Sequence, residues 1–207
     1  FLAHIREVDL ICHVLRGFTD ANITHVTGKV NPDKDREIVE TELILTDLQI
    51  LENQNVKINP STTLRIDGER SRTIKNQNDN AKIKNEIFEK LIKGLNSGKL
   101  AWQVSLTDQE KQVIKDLHLL TLKPVIYVLN AGENDLDKST NQLINLENLI
   151  IICAKLEVEL VGLSEEEQKE YLKSLNLKET GLERLIQKAY RTLGLITFYS
   201  GNEKQAT

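Results

Sequence analysis

Two junctions between an apolar run and a polar segment carry the residue types that could do chemistry. Asn130 and Glu133 stand three positions apart directly after the apolar run 125–129, and Cys153-Ala154-Lys155 ends a second apolar run. An amide donates and accepts hydrogen bonds and a carboxylate accepts them, so Asn130 and Glu133 could read the edge of a purine base. Backbone N–H groups of the second junction could hold that base, with the stem of Lys155 lying along it. The alternative is that both segments are ordinary turns.

The cysteine and histidine residues do not form a metal-binding pattern. Cys12 and Cys153 each lie inside an apolar run, with no CxxC motif and no histidine at ligand spacing. This arrangement predicts reduced thiols in a cytosolic protein and excludes a structural zinc site. Three of the four histidines fall in helix or strand patterns and are interpreted as structural: His4, His13 and His118.

A locally basic segment could bind a partner. Residues 57–84 hold seven Lys and Arg residues against three acidic ones, although the whole chain has a net charge of −4. Such a segment could contact a phosphate backbone, and its affinity would then fall with salt. Base stacking would be poor, because Phe88 and Trp102 are the aromatic residues nearest to it. The alternative is a solvated helix tip, which is what most charge runs are.

Apolar runs predict the strands that must position the two junctions. Residues 9–18 form an apolar, β-rich run typical of a strand buried on both faces of a parallel sheet. Strands are also predicted at 125–129 and 150–154, with a helix at 137–149 between them. Strand, helix and strand joined by short loops indicate a βαβ unit and hence a parallel sheet. Residues 196–200 have strand-like chemistry.

Helical periodicity predicts a second kind of structure. A long helix begins near Asp33, with leucines at helical spacing and acidic residues, Asp47 among them, between the apolar positions. Helical spacing returns at 83–95, and the polar segment 53–82 is either a mobile hairpin tip or the frayed ends of two antiparallel helices. Capping patterns at Thr107 and Ser164 predict further helix starts.

These elements predict an α/β fold with a parallel sheet, interrupted by an α-helical hairpin or coiled-coil insertion. The α/β part comprises residues 1–32 and about 116–198, and the insertion comprises residues 33–115. No apolar run reaches the ~18 residues of a membrane span. The chain begins at Phe1, within a helix-like pattern, and this favours a piece of a longer protein.

Five long segments, among them HVTGKVNPDKDREIVETEL (25–43), LTLKPVIYVLNAGE (120–133) and ICAKLEVEL (152–160), resemble the YchF subfamily of Obg-type P-loop NTPases. The others are 1–18 and 181–204, so the resemblance runs nearly end to end and is weakest at 53–100. It implies a Ras-like nucleotide-binding domain in which Asn130-Ala131-Gly132-Glu133 replaces the guanine-reading N-K-x-D loop. Binding of ATP more tightly than GTP follows from this replacement, and Cys153-Ala154-Lys155 corresponds to the S-A-K loop beside the base.

The chain also departs from the family pattern. It contains neither the G-x-x-x-x-G-K-[ST] phosphate loop nor the D-x-x-G segment that touches the γ-phosphate. The resemblance therefore implies that the ligands of Mg²⁺ lie outside this chain, that residues 199–207 begin a TGS domain, and that this stretch alone does not hydrolyse ATP. K⁺ is a further cation that the family context allows.

The family context also assigns a role to His25, in the polar loop 19–31. Because these proteins lack the usual catalytic glutamine, the imidazole of His25 could position the attacking water; the alternative is that it only bridges the loop. The resemblance implies a cytoplasmic ATPase that binds the ribosome or rRNA. Two other hypotheses remain open: a helical adaptor that binds ribosome or RNA without turnover, and a structural domain whose N-x-x-E loop is only a turn.

Overall fold

The structure of the protein, a computed structural model, describes residues 2–25, 28–58, 71–136, 146 and 148–198. At some of these positions the structure describes the backbone alone: 2–3, 55–58, 71–81 and 134. The chain divides into two compact units, one of residues 1–8 and 34–123 and the other of residues 9–33 and 124–207. None of the helices that the structure describes combines the length and the apolar character of a membrane span.

A three-stranded parallel sheet forms the centre of the unit of residues 9–33 and 124–207. Its strands are β1 (Ile11–Arg16), β2 (Val125–Asn130) and β3 (Leu149–Ile152), in the order β1-β2-β3. The register places Arg16 beside Asn130, and Asn130 beside Ile152. All three carboxyl ends therefore meet at one edge, and the prediction of an α/β fold with a parallel sheet is confirmed.

The prediction that β1 is buried on both faces is wrong. Leu15 is 2% exposed, but its neighbour Val14 on the opposite face is 61% exposed. Among the described strands β1 pairs with β2 alone, so it is the edge of this sheet and not a central strand. A run of apolar residues shows that a strand can be buried on both faces, but the neighbours that cover it are set by tertiary structure.

Within the described residues of this unit, three helices accompany the sheet: α5 (Ala154–Val161), α6 (Glu165–Ser174) and α7 (Gly181–Thr192). The predicted capping box at Ser164 is confirmed, because its hydroxyl accepts from the Glu167 N–H while the Glu167 carboxylate accepts from the Ser164 N–H. Helix α7 packs Leu185 and Ala189 against Ile126, Val128 and Ile150 of the sheet. The helix thereby covers one face of β2 and β3.

Other boundary predictions need correction. The predicted helix 137–149 lies outside the described residues except near its end, where Asn148 takes a left-handed conformation (φ 60°) and Leu149 already belongs to β3. The strand predicted at 150–154 ends at Ile152, and Ala154 begins a helix. Residues 196–198 form no strand and leave Ile196 and Phe198 exposed, while residues 199 and 200 lie outside the described part.

Helices α2 (Pro32–Ile58) and α3 (Ser71–Asn96) are the longest elements of the other unit, which also holds α1 (Leu2–Glu7) and α4 (Asp108–Ile114). Pro32 suits the first helical position because it has no N–H to leave unpaired there. The two long helices share one apolar core, formed chiefly by residues 44–51 of α2 and 87–95 of α3. The predicted cap at Thr107 is confirmed. The centre of the polar segment, residues 59–70, lies outside the described residues.

Asp47 is buried, although it is one of the acidic residues that lie between the apolar positions of α2. The residue is fully inaccessible to solvent, and its carboxylate accepts hydrogen bonds from the Leu120 N–H (2.9 Å), the Thr121 N–H (2.8 Å) and the Thr121 hydroxyl (2.7 Å). The Thr121 Oγ1 accepts in turn from the Ala101 N–H. Burial raises the pKa of the Asp47 carboxyl, and the three hydrogen bonds act in the opposite direction.

Candidate functional site at the carboxyl edge of the sheet

Asn130 joins the two junctions that the sequence singles out. It is the last residue of β2, and its Oδ1 accepts a hydrogen bond of 3.0 Å from the backbone N–H of Ala154 at the start of α5. Beside it, the Ala131 N–H donates to the Ile152 carbonyl at 2.8 Å. These two hydrogen bonds connect the end of β2 and its following loop to the segment that leads into α5. This edge is where open α/β sheets bind their ligands.

Glu133 and Lys155 form an ion pair across the same edge. Glu133 begins a short 3-10 turn, and its Oε1 lies 2.9 Å from the Lys155 Nζ. The hydrogen bond and charge of Glu133, followed by the charge of Glu159, raise the pKa of the Lys155 ammonium. The side chain of Lys155 is 74% exposed and that of Glu133 is 42% exposed. Such an exposed pair contributes little to stability, so both groups are accessible to a ligand at small cost.

Cys153 and Ala154 contribute through the backbone. The side chain of Cys153 is buried in a core cluster with Leu156, Leu160 and Leu172 of α5 and α6. Its thiol makes no capping hydrogen bond to α5. The Ala154 N–H, one of the donors expected to hold a base, donates to Asn130 Oδ1 in this structure. The Ala154 N–H therefore holds the Asn130 side chain in place. Of the segment 153–155, the Lys155 side chain is the part that is exposed to a ligand.

His25 lies in the loop that follows β1, where it is partly buried. It lines a hollow of about 700 Å³ together with Arg16, Asp20 and Lys29. The contacts described above link Asn130 to Ala154 and Glu133 to Lys155, and these four residues are not among those that line the hollow. The structure thus brings four of the predicted site residues together, and it places His25 in a hollow whose lining includes Arg16, the residue that pairs with Asn130 in the sheet.

Arg16 is a residue that sequence reasoning missed. Its guanidinium donates to the Phe18 carbonyl (3.0 Å) and the Ile23 carbonyl (3.1 Å) and lies 4.8 Å from the centre of the Phe18 ring. One side chain thereby holds the loop that carries His25. The sequence feature that could have indicated this role is an arginine at the end of a strand, followed directly by Gly17. A Cβ at Gly17 would lie 2.8 Å from Leu129 Cδ1, so a larger residue there would require the buried Leu129 side chain to shift.

Glu157 is a second missed residue, two positions after Lys155. Its Oε1 accepts from the Gly181 N–H at 2.7 Å and its Oε2 accepts from the Leu182 N–H at 3.3 Å. A carboxylate at the positive end of α7 is stabilised by the exposed N–H groups there. Glu157 therefore ties α5, which carries Lys155, to the start of α7.

The basic segment 57–84 is only partly described. Lys82 and Lys84 of α3 are the cations whose side chains the structure describes, and the Lys84 Nζ lies 6.0 Å from the centre of the Phe88 ring. The remaining five lie outside the described side chains: Lys57, Arg65, Arg70, Arg72 and Lys75. Lys82 is exposed, and Phe88 is fully buried in the core of the helical unit. Phe88 is therefore not available to stack on a base.

Comparisons with known proteins give a consistent set of relatives. No family model matches the chain. The ribosome-binding ATPase YchF of Bacillus subtilis is 38% identical over an aligned length of 216 positions. The alignment covers 99% of this chain and 56% of that protein. The protein of the same name from Mycoplasma genitalium is 37% identical over 99% of the chain. The structure of the Schizosaccharomyces pombe YchF GTPase matches 98% of the chain and 55% of its own length, with a TM-score of 0.80 and 29% identity. The chain therefore spans about half the length of these relatives.

Proposed function

Because the chain belongs to the YchF family of Obg-type P-loop NTPases over the part that it spans, we propose that it is the base-recognition and helical part of an ATPase that binds the ribosome. The observation that carries the proposal is the arrangement at the carboxyl edge of the sheet. There Asn130 is fixed by the Ala154 N–H, and Glu133 and Lys155 are exposed beside it. The names of the relatives support ATP hydrolysis and ribosome binding for the intact protein.

Each residue at this edge has a role in the proposal. Glu133 accepts a hydrogen bond from a purine N–H, and the exocyclic amino group of adenine is such a donor. The apolar stem of Lys155 lies along the base. Asn130 holds the loop of Ala131 at its place, and Cys153 and Ala154 present the backbone of the second loop. In this arrangement ATP binds more tightly than GTP, because the chain carries a glutamate where a guanine-reading loop carries an aspartate.

Hydrolysis requires groups that this chain does not carry. The sequence has no G-x-x-x-x-G-K-[ST] motif, and no three metal-ligating side chains converge within the described residues. We assign the ligands of Mg²⁺ to the remainder of the intact protein, and K⁺ remains an additional candidate cation. Bound Mg²⁺ would neutralise charge on the phosphates. In the intact protein His25 positions the attacking water, whereas the chain alone is expected to be inactive. Magnesium-dependent ATP turnover by the 207-residue chain would contradict this.

The limits of the parts are also proposed. In this proposal residues 1–32 and 116–198 belong to the nucleotide-binding domain, residues 33–115 form the helical insertion, and residues 199–207 begin a TGS domain. These limits differ from those of the two compact units, in which residues 1–8 and 116–123 belong with the long helices. A protein that acts on ribosomes works in the cytoplasm, and the proposal places this one there.

The test is nucleotide binding by the intact protein, wild type against Glu133→Asp, with Glu166→Asp as a control. Glu166 is an exposed acid on α6, so its variant shortens an acidic side chain by the same methylene group and keeps its charge. We expect the wild type to bind ATP more tightly than GTP and the preference to shift toward GTP in Glu133→Asp. Binding of neither nucleotide by the wild type would make the N-x-x-E loop a plain turn.

A second candidate function is binding of ribosome or RNA by the helical unit without nucleotide turnover. The observation that favours it is that α2 and α3 extend past their shared core. Beyond that core the described side chains of Glu52, Asn53, Lys82 and Ile83 are exposed. A long helical projection with cations fits an electrostatic contact with a phosphate backbone.

This candidate is tested by co-sedimentation of the protein with ribosomes at low and high salt. Lys82→Ala/Lys84→Ala is compared with Lys169→Ala/Lys173→Ala, which removes two cations from α6 instead. Binding through the helical projection predicts that the first variant binds more weakly and depends less steeply on salt than the control. Equal binding by both variants would contradict it.

A further inference from the structure

The Lys155 ammonium has two carboxylates within reach. Its Nζ lies 2.9 Å from Glu133 Oε1 and 3.8 Å from Glu159 Oε1, one helical turn further along α5. Both carboxylates are partly exposed, at 42% and 43%. The ammonium thus stands between an acid on the loop after β2 and an acid on its own helix, with the hydrogen bond made to the loop.

The ion pair occupies Glu133 Oε1, one of the two carboxylate oxygens that could accept a hydrogen bond from a base. A carboxylate that is paired with an ammonium offers fewer lone pairs to a base N–H, and the ammonium repels the partial positive charge of that N–H. The hydrogen bond from a purine N–H to Glu133 is therefore strongest when the ammonium has moved away. The nearest alternative is Glu159, because residues four apart on a helix are neighbours on its surface.

Tyr171 orients Glu159 for this exchange. Its hydroxyl lies on α6 and donates to Glu159 Oε2 at 3.3 Å, while the other oxygen, Oε1, is the one nearer to Lys155. The charge of Glu159, the largest cause, raises the pKa of the Tyr171 hydroxyl. The tyrosine therefore remains a donor at neutral pH and keeps Glu159 tied to α6.

We propose that Glu159, held by Tyr171, is a positioning residue that draws the Lys155 ammonium away from Glu133 when a purine base engages Glu133. The inference rests on the proposed nucleotide binding and adds to it a device that makes the base-reading carboxylate available. The exchange is inexpensive, because both ion pairs are exposed and such pairs differ little in free energy. It keeps the charge of Lys155 neutralised in the nucleotide-free and nucleotide-bound states alike.

The test is a double-mutant cycle on the intact protein, with ATP affinity measured by calorimetry for wild type, Glu159→Gln, Lys155→Met and the double variant. Glu159→Gln leaves Lys155 on Glu133 and is expected to weaken ATP binding by about two- to five-fold, the range of exposed ion pairs. In the Lys155→Met background the same change should have no effect. The loss should also shrink at high salt, because exposed charges are screened. Tyr171→Phe should give a smaller loss in the same direction.

Glu166→Gln serves as the control, since it removes an exposed acid from α6 without touching Lys155. Unchanged ATP affinity in Glu159→Gln, or an equal loss in the presence and absence of Lys155, would overturn the exchange while leaving base recognition intact. Failure of the wild type to bind ATP would refute the proposed function, and the exchange with it. The two failures are therefore distinguished by the wild-type measurement.

Discussion

Replacement of Asp47 by alanine is expected to destabilise the helical unit strongly. The change leaves the Leu120 and Thr121 N–H groups buried without their acceptor, and each such donor costs about 1–3 kcal/mol. The two together predict a loss of roughly 2–6 kcal/mol in the free energy of unfolding. The hydroxyl of Thr121 can rotate toward another acceptor and is left out of the sum. A whole domain has only about 5–15 kcal/mol of stability, so the loss would be a large part of it.

Two variants bracket this result. Asp47→Asn keeps the shape and one acceptor oxygen but turns an amide NH₂ toward the same donors, so it should lose about 1–3 kcal/mol. Glu52→Ala changes an exposed acid five residues further along α2 and should stay within about 0.5 kcal/mol of wild type. Urea unfolding followed by the fluorescence of Trp102, the single tryptophan, reports on this unit. A loss below about 1 kcal/mol in Asp47→Ala would show that the carboxylate is not the buried acceptor described here.

The same residue predicts a pH dependence with a definite sign. Burial raises the pKa of folded Asp47 above the ordinary value of 3.8, so the folded state keeps this proton to a higher pH than the unfolded state does. Its contribution to stability is complete below pH 3.8 and is lost as the pH rises through the folded pKa. Wild type should therefore lose stability relative to Asp47→Asn as the pH is raised from 3.8. If wild type instead gained stability relative to Asp47→Asn over this pH range, the three hydrogen bonds would have a larger effect on the pKa of Asp47 than burial has.

Two further changes probe the α/β unit. Gly181→Ala should lower the free energy of unfolding in denaturant by about 1–3 kcal/mol, because a Cβ there would lie 2.6 Å from Ile152 Cγ2 and 2.8 Å from Glu157 Oε1. Gly162→Ala is its control, since its Cβ meets nothing closer than 3.6 Å; equal losses would refute the steric reason. Ser164→Ala should cost about 1 kcal/mol at pH 7 by removing the cap of α6. Because Ser164 lowers the pKa of Glu167, the cap's contribution should fade as the pH drops through that lowered pKa, below 4.5; a loss independent of pH would contradict this.

Local sequence patterns predicted the elements in which neighbours along the chain decide the structure. Strand β2, the caps at Thr107 and Ser164 and the start of α2 near Asp33 all agree with prediction. A cap is a contact between residues three apart, and helical periodicity is a property of one segment. Boundaries were less well predicted where a strand and a helix meet: Ala154 was assigned to a strand and begins α5.

The sequence alone determined the residue types at the two junctions, their order after two strands and hence the sheet edge at which they lie. Tertiary structure decided which of those groups meet: the Asn130 amide oxygen and the Ala154 N–H are 24 residues apart, and Glu133 and Lys155 are 22 apart. It also buried Asp47, an acidic residue between the apolar positions of α2, against donors 73 and 74 residues away. The physical reason is that burial and hydrogen bonding depend on what packs against a residue, and segments distant along the chain supply those neighbours.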